Sequence, residues 1–251
     1  MKIVACFKNV PDERDITFTK EGSIDLSRAP FSIGKYDLNA LEAGAVLSEQ
    51  VPECELIALT ASGEEALATK AKKDVLSRGA DELVVALAED VLIGDPVQTG
   101  SVLAKAIQEI GAVDLILFGE GSGDMYNRSV GITTASKLGI PVLNGVFEIE
   151  VEEGSITVKR RCDDVVQTMS IATPCAICVT SDANVPRIAS MKAILGAGKK
   201  PSSSLELDVE SRSAEIETIT EPVKAERKHV IFEDDSDASL DGFVQALKQV
   251  L

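Results

Sequence analysis

The chain reads as an α/β protein built on a doubly wound, mostly parallel sheet, and three observations lead there. Short apolar runs alternate with amphipathic stretches through the first two-thirds of its 251 residues, the pattern of strands buried on both faces and the helices that cover them. Glycine, proline and small polar residues mark the joins between these runs. The most glycine-rich stretch, GEGSGDMYNRSVG at 119–131, follows a strand-like run and precedes a helix-like one. Open parallel sheets place their ligands in such loops.

Lys2–Phe7 (KIVACF) is expected to form the first strand, and Tyr36–Glu49 a helix with Leu38, Leu41 and Ala45 on one face. Glu55–Thr60 follows as a strand, then Ala61-Ser62-Gly63 and a helix over Glu64–Arg78 closed by Gly79. Glu82–Leu87 is a third strand, and Asp95-Pro96 opens the next helix, proline being favoured in a first turn. Val113–Phe118 is a fourth, buried strand. Beyond Gly139 the text turns to strands separated by tight turns, at Val142–Val151, Ser155–Arg161 and Ala172–Thr180. Residues 1–201 are expected to form the α/β domain. Residues 202–251, with 12 acidic and 5 basic side chains, have little core-forming pattern before His229–Phe232 and a final helix from about Ser239. They read as an arm that docks on a partner, or else as a loosely packed acidic tail.

Composition narrows the function. A hydrophobic content of 45% supports a packed core, and a formal charge of −16 repels nucleic acid and anionic lipid over most of the surface. With 4% aromatics and no tryptophan the chain is poorly equipped to stack bases. No signal peptide or membrane-spanning run is apparent. Five scattered cysteines (Cys6, Cys54, Cys162, Cys175, Cys178) suggest reduced thiols and a cytoplasmic location.

Several segments invite a chemical reading. In the 119–131 loop, glycines free backbone N–H groups and a following helix N-terminus favours phosphate. Asp124, Asn127, Arg128 and Ser129 are placed to touch a ribose or phosphate. The loop lacks a Walker lysine and GxGxxG spacing, so a tight connection with no ligand is the competing reading. Cys175 and Cys178 stand three apart in an apolar strand and so face opposite sides. With no second such pair and a single histidine, His229, two buried strand cysteines fit better than a zinc site or a redox dithiol, and His229 reads as a surface strand residue. No metal site and no catalytic constellation stands out. Residues 186–200 (PRIASMKAILGAGKK) carry Arg187, Lys192, Lys199 and Lys200 without an acidic residue. Met191, Ile194 and Leu195 make an apolar edge there, either a partner-docking helix or a surface helix packed on its own domain.

Five stretches in order resemble the beta subunits of electron-transfer flavoproteins, most closely the FixA/YdiQ-like branch. They are KIVACFKNVPD at 2–12, KYDLNALEA at 35–43, KDVLSRGADEL at 73–83, the 119–131 loop, and residues 158–201 with Val158, Arg160, Asp163, Gln167 and Pro174. The resemblance implies an adenine-nucleotide α-hydrolase-like domain, a C-terminal arm wrapping an alpha subunit, and an electron carrier rather than an enzyme. FAD belongs to the heterodimer, with either AMP or a second FAD in this subunit, the second FAD going with electron bifurcation. By matched position the nucleotide contacts are Cys6, the turn Gly34, Lys35, Tyr36 and Asp37, the turn Ala61, Ser62 and Gly63, and the loop positions Gly119, Gly121, Ser122, Gly123, Asp124, Asn127, Arg128, Ser129, Val130 and Gly131. Residues 184–200 correspond to the loop that engages acyl-CoA or related dehydrogenases, with Arg187, Met191, Lys192, Ile194 and Leu195 as docking residues. Met125, Tyr126, Arg128 and Ser129 depart from the usual text of the nucleotide loop, and Gly34-Lys35 replaces an Asn-Pro. The alternative is a stand-alone ATP- or AMP-binding protein of the universal-stress type.

Overall fold

The computed structural model describes residues 1–88, 94–152, 154–207, 217, 220 and 229–249. The chain divides into two compact units, Met1–Ile219 and Thr220–Leu251. In the first, the elements are β1 (Lys2–Cys6), β2 (Asn9–Pro11), β3 (Thr17–Phe18), β4 (Ile24–Asp25), β5 (Phe31–Ile33), α1 (Lys35–Gln50), β6 (Glu55–Ser62), a 3-10 turn (Glu64–Leu67), α2 (Thr69–Leu76) and β7 (Glu82–Leu87). There follow α3 (Pro96–Ile110), β8 (Leu115–Gly119), α4 (Val130–Leu138), β9 (Val142–Glu152), β10 (Ser155–Cys162), β11 (Val165–Ala172), β12 (Cys175–Val179), α5 (Met191–Ala197) and β13 (Ser202–Glu206).

Nine strands form one sheet in the order β11-β10-β9-β12-β8-β1-β6-β7-β13. From β9 to β13 the pairings are parallel, and only β10 runs against its neighbours. Alternate residues of each central strand enter different cores, which is why the strands are apolar throughout. Ile3 and Ala5 pack with Ala40, Leu41, Val75, Leu76 and Ala197, from α1, α2 and α5. Val4 and Cys6 pack on the opposite face with Val102, Leu103, Ala106, Ile107 and Ala135, from α3 and α4. The sheet is therefore doubly wound. Chain direction across it reverses at β1, whose neighbours β6 and β8 lie on opposite sides. Loops after β1 and β8 thus diverge and leave a crevice between them.

Three elements differ from their expected form. The helix over Glu64–Arg78 is split, because the Glu65 carboxylate accepts from Ser62 Oγ at 2.7 Å and Gly63 N at 3.1 Å. Those bonds tie the first turn back to β6, and Ala68 is extended before α2 begins. An edge strand, β11, precedes Pro174, where one continuous strand over Ala172–Thr180 was expected. Proline has no N–H for the ladder, and the mostly exposed β11 shows no apolar run to reveal it. Lastly, Ser202–Glu206 does not leave the domain but pairs in parallel with Leu83–Leu87 at the sheet edge. Much of the remainder of the expected arm, including residues 208–216 and 221–228, lies outside the described residues.

In the second unit, α6 (Asp237–Lys248) starts where the Ser236 side chain accepts from Ser239 N. Leu240, Phe243, Val244 and Leu247 recur at helical spacing and are all exposed. Phe232 meets Phe243 edge-on at 5.7 Å. His229 is exposed and outside any strand, with φ 48°.

Candidate functional site

A cleft opens at the reversal point, where β1 and β8 end side by side. It spans about 870 Å³ of space, a figure that includes open solvent. Its β1 wall is Cys6, Phe7 and Lys8, and its β8 wall is Phe118 to Ser122. The start of α4, Ser129 to Gly131, closes one side together with Asn127 and Arg128, and Pro96, Thr99 and Leu103 of α3 close another.

Asp37 joins the two strand ends. It lies in the first turn of α1 and is 8% exposed. Its carboxylate accepts from Lys8 N at 2.8 Å and from Gly119 N. Burial raises this carboxyl to about 7, while those N–H groups pull the other way. Lys8 in turn reaches across to Asp124 at 2.6 Å. Burial acts to raise the Asp124 carboxyl, but hydrogen bonds from Lys8 and Ser122 outweigh it and hold the group below its ordinary range.

The α4 wall is suited to an anion. Ser129 makes no side-chain cap to the helix, and its hydroxyl donates to Asn127 O at 2.7 Å. The first-turn N–H groups therefore lack a side-chain acceptor, and they carry the positive end of the helix dipole. Arg128 adds a guanidinium, 3.6 Å from Glu120 and over the Tyr126 ring at 5.7 Å. Tyr126 in turn stands 5.2 Å from the Tyr36 ring. Two thiols line the cleft, and burial disfavours the thiolate of both: it pushes Cys178 up to about 12 and raises Cys6 as well.

Of the residues expected at a nucleotide, Cys6, Asp37, Ala61, Gly119, Gly121, Ser122, Asn127, Arg128, Ser129, Val130 and Gly131 line the cleft. The others stand back from it. Ser62 and Gly63 donate to Glu65, Gly34 N donates to Lys8 O, and Lys35 pairs with Glu13 at 2.6 Å. Tyr36 and the loop residues Gly123 and Asp124 do not line the cleft. Sequence reasoning missed Lys8, Met125, Leu103 and Cys178. Lys8 and Met125 were legible in principle, one directly after the first strand and one inside the loop; Leu103 and Cys178 carry only a core signal. Cys175 and Cys178 fall into opposite cores, as the strand spacing implied.

The docking candidates also separate. Met191 and Leu195 are 74% and 70% exposed, Lys192 is exposed, and Ile194 is half-buried. Arg187, expected to face a partner, points inward instead. Its guanidinium bonds both oxygens of Glu42 at 2.8 and 3.1 Å and Glu49 at 2.6 Å. Arg187 N also donates to Glu42, and Arg187 O accepts from Arg78. Asn39 and Asn184 bond each other nearby. Arg187 thus fastens the segment to α1. Arg187→Ala is expected to cost roughly 1.5–3 kcal/mol, the range for hydrogen bonds to charged groups, read from the urea midpoint. An unchanged midpoint would show that the clamp holds nothing.

The fold and cleft define a class: an α/β protein with an anion-suited small-molecule pocket at the switch point of a doubly wound sheet. Residues 22–210 match the family model described as the electron transfer flavoprotein domain. That is most of the chain, and the protein belongs to the electron-transfer flavoprotein family. Such a domain goes with an electron-carrying role rather than with catalysis of its own, and the family generally binds FAD and works with a partner subunit and dehydrogenases. Among the described residues no helix is long and apolar enough to cross a membrane, and no cluster of metal-ligating side chains occurs.

Proposed function

We propose that this chain is the beta-type subunit of an electron-transfer flavoprotein heterodimer, of the FixA/YdiQ-like branch, and that its cleft takes an adenine nucleotide, AMP or FAD. The observation that carries this reading is the uncapped start of α4 beside Arg128, on one wall of a crevice at the reversal point. Phosphate oxygens are matched by helix N–H groups and by a guanidinium. The cleft wall also depends on a glycine: a Cβ at Gly131 would stand 2.6 Å from Cys178 Sγ and 3.1 Å from the Phe118 ring, so α4 lies closer to the sheet than a side chain there allows. Phe118 and Leu103 supply an apolar surface for a flat ring.

Bound FAD would supply reversible electron transfer. The chain itself binds and orients. Asp37 keeps the β1 and β8 walls in register, Lys8 holds the loop through Asp124, and Arg128 and the α4 start receive phosphate. The apolar face of α6 supports docking of the C-terminal arm on an alpha-type subunit, and the exposed edge at Met191 and Leu195 supports docking of acyl-CoA or related dehydrogenases. Five free cysteines, three of them buried, suit a reducing compartment such as the cytoplasm.

Co-expression with an alpha-type subunit, followed by nucleotide extraction and an absorbance spectrum, tests this reading. One FAD with one AMP per heterodimer identifies a simple carrier; two FAD identify a bifurcating one. A stable flavin-free monomer that hydrolyses ATP would overturn the reading in favour of a universal-stress-type protein.

A further inference from the structure

Among the described residues two cations line the cleft, Lys8 and Arg128, against three carboxylates, Asp37, Asp95 and Glu120. Each of these charges already has a partner. Lys8 is held by Asp124 at 2.6 Å. Asp37 accepts from Lys8 N and Gly119 N, and Asp95 caps α3 by accepting from Val97 N and Gln98 N. Glu120, to which the family resemblance assigns no role, is paired with Arg128, Nη2 to Oε2 at 3.6 Å. That separation is long beside the roughly 2.7–2.9 Å of a hydrogen-bonded pair of opposite charges. A phosphate arriving at the start of α4 therefore takes Arg128 from Glu120, the looser of the two ion pairs in the cleft.

The two partners differ in freedom. Glu120 N donates to Val179 O at 2.9 Å, which ties the residue to the sheet between β8 and β12, and its side chain is 13% exposed. Arg128 belongs to the loop, with φ 54° and a side chain 51% exposed. Arg128 can thus turn to a phosphate while the Glu120 carboxylate stays where the sheet holds it.

We infer that Glu120 is a specificity-determining residue, a fixed negative charge that admits an adenine nucleotide with few phosphate charges and rejects nucleoside triphosphates. The admitted class is a monophosphate or a dinucleotide whose two phosphates are joined as diesters. The inference deepens the nucleotide reading of the cleft and rests on it. Glu120 opposes every phosphate charge brought to the α4 wall, whereas the guanidinium it releases neutralises one. The helix start contributes only about half a charge more. A first phosphate is matched by these two groups. The further charges of a triphosphate meet net repulsion, in a half-enclosed site that salt screens weakly.

The test titrates AMP, FAD and ATP by calorimetry into the co-expressed heterodimer, stripped of exchangeable nucleotide, at several ionic strengths. The wild type is expected to bind AMP or FAD at least about tenfold more tightly than ATP, and Glu120→Gln to narrow that preference roughly tenfold, chiefly by gaining ATP affinity and most at low salt. Glu120→Asp keeps the charge and should keep the preference, and matching thermal melts verify folding of both variants. If Glu120→Gln binds the three nucleotides in the wild-type ratios, or Glu120→Asp relaxes the preference as far as Glu120→Gln does, the charge filter is overturned and the nucleotide reading stands. A wild type that holds ATP as tightly as AMP and FAD overturns the filter as well, as does a folded Glu120→Gln that binds none of them. If the wild type binds none of the three, the nucleotide reading itself fails.

Discussion

Replacing Gly119 by alanine is expected to lower stability by roughly 1–3 kcal/mol, the usual cost of overpacking, and sometimes more. It is also expected to weaken nucleotide retention at least about tenfold, equivalent to about 1.4 kcal/mol. A Cβ at this position would stand 2.6 Å from Asp37 Oδ1, 2.6 Å from the Tyr36 carbonyl carbon and 2.8 Å from its oxygen. Two of these three atoms are backbone, so no rotamer change relieves the contact. Neither side can easily retreat. Gly119 ends β8 in register with Val179, and α1 packs against β8 and β1 through Leu41 and Ala45. Separating them pulls Asp37 from the N–H groups it bridges and opens the cleft at its base. Thermal melts and the nucleotide content of the co-purified heterodimer measure both effects. Unchanged values in both would refute the close approach.

Asp37→Asn should have the second-largest effect, and a distinctive pH profile. An amide offers one carbonyl oxygen and an NH2 group, so one of the two backbone N–H groups now served by the carboxylate faces a donor. A buried unsatisfied donor costs roughly 1–3 kcal/mol. The wild-type carboxyl stands at about 7 in the fold, above its unfolded value of about 3.9. Between those two values the folded chain keeps a proton that the unfolded chain has released. Stability from this group is therefore full below about pH 4 and is lost as pH rises through 7, at no more than about 1.4 kcal/mol per pH unit. Asparagine does not titrate and lacks this decline. The variant's deficit should thus be largest near pH 4 and shrink steadily by pH 8, in urea unfolding followed at several pH values. Parallel curves for the two proteins would sink the assignment.

How much of this was legible beforehand depends on the range of the interactions involved. The central strands, α1 and α3 announce themselves because each is apolar on the faces it buries, and a helix start such as Asp95-Pro96 is written in adjacent residues. The glycine loop before α4 is readable for the same reason, and eight of its ten expected positions line the cleft. The split after Gly63 was not readable, because a single carboxylate, Glu65, decides it. Nor was the inward turn of Arg187, whose partner Glu42 is 145 positions away. A basic segment in an acidic chain looks like a docking surface whether or not one of its cations is already occupied.

By itself, then, the sequence determined the doubly wound α/β class, the loop at 119–131 and the apolar edge at Met191 and Leu195. Each depends on residues a few positions apart, whose periodicity sets which faces are buried. Only the tertiary structure decided that Ser202–Glu206 returns to the sheet beside β7, that Lys8 and Cys178 share the cleft, and that Lys200 bonds the carbonyls at the end of α2. Those outcomes depend on contacts between distant segments, which packing selects and local pattern does not encode.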